Sequence, residues 1–409
     1  MLCLKLDGLL KIQRVNRINY YVENNKSSLV LGPRGTGKSF FLRDFLATYS
    51  NYFYIDLLNS VELQKYLMAP ELLYKEIETN LKINKQLIVC IDEIQKNVSL
   101  FNECHRIIED FQSKVIFILT GSSARKLKKN KANLLAARAL LVSFSNLSYN
   151  EISFLDNLDS ILQYGLLPVS FIEKKSDLKI DYLKTYVATY LKEEIIDEAL
   201  TRKVENFFRF LELAAQYNGQ IFTYSKLAKE LHVDDRTLKT HYEILEDTMI
   251  INTIPAWTHS EKRRLQSSSK HYFFDNGVLN AFRGDLKLEL NERSFRYGQL
   301  FENLMINEII KMNHRHGNDY KLFHYRTDNG HEIDLILQKN IYSAPIAIEI
   351  KSSVSPSIED VATLKLFRDE FSNATLYCVC RCDRPYSQNG VEFVPYIDFL
   401  KMINELMSV

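Results

Sequence analysis

The sequence lacks several features that would mark a specialised class of protein. It has no excess of charge, because 52 Lys and Arg stand against 51 Asp and Glu, so any nucleic-acid surface must be a local patch. Six cysteines in 409 residues do not indicate a disulfide framework, and no repeat or low-complexity tract stands out. No apolar run approaches the roughly 20 residues that span a bilayer, and charge interrupts residues 1–7 too early for a secretory signal. We therefore expect a cytoplasmic protein without a membrane partner.

The remaining composition is that of a large globular chain. With 46% hydrophobic and 12% aromatic residues it can fill large cores, and its length is enough for two or three domains. Cys378, Cys380 and Cys382 alternate along a strand-like run and would share one face. Because no further ligand cluster is apparent near them, we expect these thiols to pack and not to bind a metal.

Residues 32–39 read Gly-Pro-Arg-Gly-Thr-Gly-Lys-Ser, between an apolar run at 28–31 and a helix-like run at 40–46. Strand, glycine-rich loop and helix is the context of a phosphate-binding loop, which is favoured over an ordinary glycine-rich turn. The loop would aim backbone N–H groups at phosphate, Lys38 would reach the β- and γ-phosphates, and Ser39 would hold Mg²⁺. We therefore expect ATP and Mg²⁺ as cofactors. The predicted nucleotide-binding residues are Gly32, Pro33, Arg34, Gly35, Thr36, Gly37, Lys38, Ser39 and Phe40.

Polar side chains end two further apolar runs, as the chemistry of buried parallel strands usually does. One run ends in Asp92 and Glu93, and another ends in Thr120 and Ser122. Asp92 can bind the Mg²⁺ shell, and Glu93 can orient and deprotonate the water that attacks the γ-phosphate. Thr120 or Ser122 can sense the γ-phosphate. A solvent-capped strand end is the alternative for the acidic pair taken alone.

Two arginines, Arg125 and Arg138, come after these strands and are candidates to stabilise transition-state charge. Each can act within its own chain or on a neighbouring subunit, and each can equally be a surface ion-pair partner. Arg125 opens a basic run at 125–131, a pattern more typical of a solvated loop than of a binding site. A homo-oligomer is therefore left open.

The order of these motifs resembles a group of bacterial and archaeal AAA-type ATPases. The matching segments are residues 32–39, 91–96, 120–127 and 134–139. One departure is Ala137, where the family usually has glycine before the arginine. The resemblance implies a core of five parallel strands flanked by helices, then a helical lid, a winged-helix segment and a C-terminal domain of unassigned function.

The middle of the chain has a helical pattern. Residues 177–200 place apolar side chains at helical spacing and would connect the ATPase region to the domains after it. After residue 205 come two helices, a turn at 232–235, a third helix at 236–245 and a strand at 249–255. This order describes a winged helix-turn-helix.

A winged helix would contact DNA through its third helix and its wing. The residues placed to do so are Arg236, Lys239 and Thr240 on the helix, and Lys262, Arg263 and Arg264 on the wing. The third helix also carries acidic residues, so a winged helix that only packs against its neighbours is an equal alternative.

The C-terminal region places four polar residues on a helix and two strands. Glu302 lies on an apolar-faced helix, Asp334 on the return strand of a hairpin, and Glu349 and Lys351 on the next strand. Oxygen ligands from Asp334 and Glu349 suit Mg²⁺, which would polarise a scissile phosphate. Lys351 would position or help to activate a water, and Glu302 would complete the outer shell.

These four positions resemble the catalytic set of PD-(D/E)XK nucleases, although Ile333 stands where that superfamily has proline. The Glu-Ile-Lys run is also a frequent accident of strand sequences. A nuclease-like fold that no longer cleaves is therefore a further alternative.

Together these patterns predict an α/β protein with four domains. They are a P-loop ATPase core at 1–146, a helical lid and connector at 147–203, a winged helix-turn-helix at 204–285 and a PD-(D/E)XK-like domain at 286–409. We expect ATP hydrolysis coupled to a Mg²⁺-dependent nuclease-like domain that acts on DNA. The alternative is an ATP-switched regulator whose nuclease-like domain binds DNA or a protein partner without cleaving.

Overall fold

The computed structural model describes residues 12, 14, 16–122, 138–155, 157–190, 204–257, 269–327 and 329–408. Within these ranges the chain forms a parallel sheet with flanking helices, a largely helical middle segment and a second, mixed sheet. No helix in the described ranges is both long and apolar enough to cross a membrane.

The amino-terminal part of the chain is built on five parallel strands. They are β1 Ser27–Leu31, β2 Tyr52–Asp56, β3 Leu87–Asp92, β4 Val115–Gly121 and β5 Ala139–Ser143. The strands lie in the order β2-β3-β4-β1-β5, and every residue of β1, β3 and β4 is buried. Burial on both faces explains why these three central strands are almost unbroken apolar runs. The predicted parallel α/β sheet is confirmed.

Helices cover both faces of this sheet. They are α1 Ile18–Glu23, α2 Lys38–Leu46, α3 Ser60–Met68, α4 Leu72–Leu81 and α5 Ser99–Phe111. Successive strand residues face opposite sides, so Val30 packs with α1 and α2 whereas Leu29 packs with α3, α4 and α5. The polar loops that follow β1, β3 and β4 lie together at the carboxyl edge of the sheet.

The middle segment is mostly helical. Its helices are α6 Leu158–Tyr164, α7 Pro168–Ile172, α8 Ser176–Thr185, α9 Val204–Gln216, α10 Tyr224–Glu230, α11 Asp235–Asp247 and α12 Asn276–Arg283. A π-helical turn, Tyr186–Tyr190, continues α8. The antiparallel strands β6 Ile251–Ile254 and β7 Lys270–Phe273 come after α11. Three helices and a strand pair are the order that a winged helix requires. Most of the predicted wing lies outside the described residues, including Lys262, Arg263 and Arg264, and the winged helix stays a prediction.

The C-terminal part is a six-stranded mixed sheet between helices. Its elements are α13 Phe295–Arg315, β8 Lys321–Arg326, β9 Glu332–Gln338, β10 Ile346–Ile350, α14 Ala362–Glu370, β11 Thr375–Cys380, β12 Tyr386–Gln388, β13 Val391–Pro395 and α15 Tyr396–Ser408. The strand order is β12-β13-β11-β10-β9-β8. Helices α13 and α15 pack on one face and α14 packs on the other. The helix, the hairpin and the third strand occur where the sequence predicts them.

One apolar core joins the middle segment to the C-terminal part. It contains buried side chains of α6, α9 and α11 together with those of α13 and α15. The chain after β6 also reaches the edge of the second sheet, because His324 N donates to Pro255 O at 3.0 Å and Trp257 N donates to His324 O at 2.7 Å. The parallel sheet, in contrast, has two cores of its own.

Candidate functional site

The loop between β1 and α2 has the backbone that a phosphate-binding loop needs. Gly35 and Gly37 have φ angles of 74° and 90°, in the left-handed region that favours glycine. Gly32 lies so close to the chain after β5 that a Cβ there would be 1.9 Å from the carbonyl oxygen of Phe144. Glycine is therefore required at these positions by conformation or by space.

Lys38 begins α2 and folds back over the loop. Its Nζ donates to Gly32 O at 2.5 Å and to Pro33 O at 2.9 Å, and the side chain is buried. Thr36 Oγ1 also donates to Pro33 O, at 2.9 Å. Ser39 is half-buried in the first turn of α2, next to the exposed Phe40. The ammonium thus lies inside the loop, where phosphate oxygens can replace the carbonyls as its acceptors.

Asp92 is held by hydrogen bonds on both carboxylate oxygens. The Tyr54 hydroxyl on β2 donates to Oδ2 at 2.7 Å, and the Thr120 hydroxyl on β4 donates to Oδ1. Because β4 lies between β3 and β1, Asp92 and Thr120 share the carboxyl edge of the sheet with the phosphate loop. The structure therefore brings together the predicted Mg²⁺ ligand and the predicted sensor, and it adds Tyr54, which the sequence motifs do not reveal.

Glu93 follows Asp92 with a φ angle of 59°, unusual for a residue other than glycine. Its backbone N donates to Thr120 Oγ1 at 3.1 Å, and its carboxylate accepts from Gln95 Nε2 and, at 3.4 Å, from Ser122 Oγ. A left-handed backbone at such a site is typical of functional strain. Thr120 thus links the two acidic residues, while Gln95 and Ser122 fix the direction of the predicted catalytic carboxylate.

Two residues outside the predicted set contact the phosphate loop from other parts of the chain. Arg14 Nη1 donates to Thr36 O at 3.1 Å, and its Nε lies 3.1 Å from Glu151 Oε1. Tyr186, in the π-helical turn after α8, donates to Arg34 O at 2.8 Å. The helical middle segment therefore touches the loop directly, as a lid would.

The predicted arginines are not placed beside the phosphate loop. Arg138 immediately precedes β5, whereas the loop follows the parallel neighbour β1, so the two lie at opposite edges of the sheet. Five strand residues separate these edges by on the order of 15 Å. Arg138 pairs with Glu109 and lies 3.2 Å from His105 Nδ1. A role within the same active site is therefore incompatible with its position, and Arg125 lies outside the described residues.

The C-terminal strands bring the second predicted set together. In the antiparallel pair of β9 and β10, Leu335 lies opposite Ile348, and the next step of this register places Asp334 opposite Glu349. Lys351 Nζ donates to Glu349 Oε1 at 2.7 Å, and Asp334 Oδ2 accepts from Ile350 N at 2.9 Å. Glu349 Oε2 is buried and has no hydrogen-bond partner among the described residues. We call Glu302, Glu332, Asp334, Glu349 and Lys351 the carboxylate–lysine cluster.

Burial makes two carboxylates of this cluster, Glu302 and Glu349, hard to ionise. Burial, followed by the charge of Asp334, raises the pKa of Glu302 to about 7 and that of Glu349 to about 8. Glu302 Oε1 accepts from the Tyr272 hydroxyl at 2.7 Å. Burial lowers the pKa of Lys351, but the charges of Glu349 and Asp334 outweigh it and leave that pKa raised. Lys351 alone therefore does not balance the negative charge of the carboxylates in this cluster.

Lys270, the first residue of β7, enters the same cluster although it belongs to none of the predicted motifs. Its Nζ lies 3.4 Å from Glu332 Oε2, 3.5 Å from Asp334 Oδ1 and 3.8 Å from Glu302 Oε1. It is only 3% exposed. In the sequence, Lys270 begins a run of Lys-His-Tyr-Phe-Phe that precedes Asp-Asn-Gly. This pattern indicates a strand and a turn but does not show which residues Lys270 contacts.

The donor set can be compared with what a divalent cation needs. Asp334 and Glu349 are adjacent carboxylates, and the orphaned Glu349 Oε2 is an acceptor that a hard cation would satisfy. Across the described residues, however, no group of three or more His, Cys, Asp or Glu side chains is arranged to hold a metal ion. Asp334 and Glu349 therefore fit Mg²⁺ as a pair of protein ligands, with water completing the shell.

The remaining predicted residues lie apart from both sites. On α11, Arg236 and Lys239 are exposed and Thr240 is half-buried. Cys378 and Cys380 are buried on β11, and Cys382 follows that strand as a half-buried free thiol. The first two pack in the core, as expected.

Comparisons with known proteins match the chain in three segments. Residues 24–153 match a family model described as an AAA domain. The first part of the chain is a P-loop AAA-type ATPase domain. Residues 155–291 and 297–399 match two families, each described as a domain of unknown function (DUF8612 and DUF4143). The AAA domain therefore accounts for the phosphate loop and for the edge that carries Asp92, Glu93 and Thr120.

Two relatives, each named an uncharacterized protein, match most of the chain. One from Mycobacterium tuberculosis is 25% identical over 272 residues, which are 66% of this chain and 60% of the relative. One from Haemophilus influenzae is 21% identical over 424 residues, covering 94% of this chain and 98% of the relative. The chain thus spans 60% of the length of the mycobacterial protein.

The sequence identity to solved structures is lower than that to these relatives. Domain III of the replication initiation protein DnaA from Thermotoga maritima has a TM-score of 0.26 and 13% identity, covering 58% of this chain and 94% of that one. PCH-2 of C. elegans has a TM-score of 0.27 and 14% identity, covering 55% of this chain and 62% of that one. Likeness at this level does not extend to function.

Proposed function

We propose that the chain hydrolyses ATP at its AAA domain and that this reaction controls Mg²⁺-dependent cleavage of DNA at the carboxylate–lysine cluster. One observation carries the second half. Glu349 Oε2 is a buried acceptor without a partner among the described residues, and Lys351 and Asp334 lie beside it. An unsatisfied buried carboxylate oxygen is costly unless a cation or a donor binds there.

In the ATP site, each role follows from position. Lys38 would neutralise the β- and γ-phosphates, while Ser39 and Asp92 would hold Mg²⁺. Glu93 would orient and deprotonate the attacking water, and Thr120 would align both acidic residues. Arg138 would act only on the site of a second copy, because it lies at the far edge of its own sheet.

In the second site, Asp334 and Glu349 would hold Mg²⁺, which supplies charge stabilisation at a scissile phosphate when bound. Lys351 is partly exposed and would position the attacking water. Glu302, with its raised pKa of about 7, can take up or give back a proton near neutral pH. The residues thus provide binding, orientation and proton exchange for phosphodiester hydrolysis.

DNA would reach this site past the middle segment. The exposed Arg236 and Lys239 on α11 are suited to phosphate contacts, and Thr240 lies one residue beyond. Tyr186 connects the middle segment to the phosphate loop, so a change at the nucleotide can move the segment that carries α11. This contact supports control of the second site by ATP.

The test uses the full chain with linear, circular and single-stranded DNA, in the presence of ATP and Mg²⁺. Asp334→Ala and Lys351→Ala should abolish cutting and leave ATP hydrolysis intact. Asp398→Ala and Lys401→Ala are matched controls, since these residues form an exposed ion pair on α15 with an N–O distance of 3.3 Å. Cutting by both cluster variants at the wild-type rate would refute the nuclease assignment.

A second function is favoured by one observation, the placement of Lys270 inside the cluster. A lysine that already compensates Asp334 suits a domain that binds DNA or a protein partner without cleaving it. In that case ATP acts as a conformational switch, and in the same assay the protein binds the DNA but does not cut it.

A further inference from the structure

A small cavity lies where the end of β5 meets the carboxyl-terminal end of α13. Its volume is about 30 Å³, roughly twice the 10–15 Å³ that a single water needs. The basic residues that line it are Arg14, Arg17, Lys311, His314 and Arg315. Among the described residues of the wall, Glu151 alone carries a carboxylate. The wall therefore has more positive than negative charge.

Two of these cations are already paired with carboxylates. Arg14 Nε lies 3.1 Å from Glu151 Oε1, and Lys311 Nζ donates to Glu308 Oε1 at 2.7 Å. The second oxygen of Glu151 accepts from Ser148 N at 2.9 Å. The carboxylate in the wall is therefore engaged on both oxygens.

Arg315, near the end of α13, has donors left over. Its Nη2 donates to Ser148 Oγ at 3.1 Å, whereas Nε and Nη1 are buried and have no hydrogen-bond partner among the described residues. Burial lowers the pKa of Arg14, Glu151 opposes this lowering, and the charge of Arg315 adds to it, so the two guanidinium groups repel each other. Buried donors of a charged group are costly unless an acceptor meets them. The acceptor that is needed here is an anion.

We propose that this cavity binds inorganic phosphate, with the free donors of Arg315 as its hydrogen-bond partners. Guanidinium groups recognise phosphate oxygens through charge-assisted hydrogen bonds. The volume admits a small oxyanion but not a nucleotide, since larger ligands occupy pockets of about 300–1,000 Å³. Burial lowers the pKa of His314 to about 4, so at neutral pH this residue offers the phosphate a neutral N–H.

This phosphate site lies between the two sites of the proposed function and is separate from both. On one side Arg14 Nη1 donates to Thr36 O of the phosphate loop at 3.1 Å, and on the other α13 carries Glu302. Phosphate beside Arg315 offsets the repulsion between Arg315 and Arg14 and holds α13 against the end of β5. Hydrolysis of ATP releases phosphate, so the ligand is produced in the same molecule.

The experiment measures binding of radiolabelled phosphate to the full chain by equilibrium dialysis. Excess Mg²⁺ and a nonhydrolysable ATP analogue occupy the phosphate loop, and potassium chloride at physiological ionic strength screens the surface charges. The wild type should bind one phosphate per chain. Arg315→Met should weaken binding by about 10-fold or more, because it removes charged hydrogen bonds. Arg315→Lys keeps the charge and should bind phosphate more tightly than Arg315→Met does.

Arg283→Met is the matched control, because Arg283 is also a half-buried arginine and donates to Ala215 O at 2.8 Å, away from the cavity. It should bind phosphate as the wild type does. If Arg315→Met loses the wild-type circular dichroism spectrum, Arg17→Met replaces it, since Arg17 lines the same cavity.

Two results overturn the inference. One is the absence of phosphate binding by the wild type, which would show that chloride or water is enough to fill the cavity. The other is wild-type affinity in a folded Arg315→Met or Arg17→Met variant, which would place the phosphate elsewhere. Neither DNA nor ATP turnover enters this measurement, so its result is independent of the proposed function.

Discussion

Tyr54 donates its hydroxyl hydrogen to Asp92 across the neighbouring parallel strands β2 and β3, with 2.7 Å between the oxygens. Burial, followed by the charge of Asp92, raises the pKa of Tyr54 well above its ordinary value, so the hydroxyl stays protonated. Thr120 satisfies the other carboxylate oxygen. Tyr54 and Thr120 therefore fix the orientation of the predicted Mg²⁺ ligand.

Tyr54→Phe should weaken the response of ATP hydrolysis to Mg²⁺. Removing a hydrogen bond to a metal-binding carboxylate typically costs about 10- to 100-fold in metal affinity or activity, and we expect about 10-fold here because Thr120 remains. The measurement is ATP turnover against Mg²⁺ concentration. Tyr74→Phe is the control, since that hydroxyl donates to Asp110 at the surface, at 2.9 Å. Equal Mg²⁺ dependence in both variants would contradict the role of Tyr54.

Gly32→Ala should destabilise the AAA domain. A Cβ at Gly32 would lie 1.9 Å from the Phe144 carbonyl oxygen, so β1 and the chain after β5 must move apart. Overpacking of this kind costs about 1–3 kcal/mol in free energy of unfolding. Urea unfolding with and without ATP measures the loss. Gly284→Ala is the comparison, because nothing lies within 4 Å of a Cβ there and only its φ of 76° opposes the change. A smaller loss for Gly32→Ala than for Gly284→Ala would contradict the close approach.

Glu349→Gln should change how stability depends on pH. Burial, followed by the charge of Asp334, raises the pKa of Glu349 from 4.5 to about 8, and Lys351 and Lys270 only partly oppose this. Between these values the folded chain keeps a proton that the unfolded chain has lost. Glu349 by itself therefore lowers the stability of the wild type as the pH rises from 4.5 to about 8, by at most about 1.4 kcal/mol per pH unit.

Because glutamine does not titrate, the stability of Glu349→Gln relative to wild type should increase between about pH 5 and pH 8. Urea unfolding in a metal chelator measures this difference. Glu392→Gln is the control on the same sheet, since Glu392 is exposed on β13. A relative stability that does not change over this range would show that Glu349 is already ionised in the folded chain.

Some of this arrangement could be predicted from the sequence by simple rules. Asp92 and Thr120 end buried parallel strands, and the carboxyl ends of such strands share one edge with the loop after β1. Asp334 and Glu349 alternate with apolar residues on two runs, and a hairpin with regular register brings them face to face. In both cases local periodicity and strand direction are sufficient to predict that the side chains lie together.

Other contacts depend on packing that no local pattern encodes. Lys270 reaches Asp334 only because the strand pair of the middle segment packs against α13, far along the sequence. In the sequence, Tyr54 looks like any other aromatic residue of a strand. Its hydrogen bond to Asp92 depends on which strand lies beside β3. Arg138, in contrast, could have been placed from strand direction alone, since it precedes β5 while the phosphate loop follows β1.

The position of Arg138 gives a prediction about assembly. At the edge opposite its own phosphate loop, Arg138 can stabilise transition-state charge only in the site of a second copy. Arg138→Ala and Glu93→Gln should each reduce ATP turnover by about 100-fold or more, because one lacks the charge and the other lacks the base. Mixing the two variants should restore part of the turnover, since an intact Glu93 in one copy then meets an intact Arg138 in the next.

Arg106→Ala is the control for Arg138, because Arg106 is a surface arginine on α5 that pairs with Glu103 at 2.7 Å. No recovery on mixing, with full activity of Arg138→Ala alone, would show that Arg138 is only the ion-pair partner of Glu109.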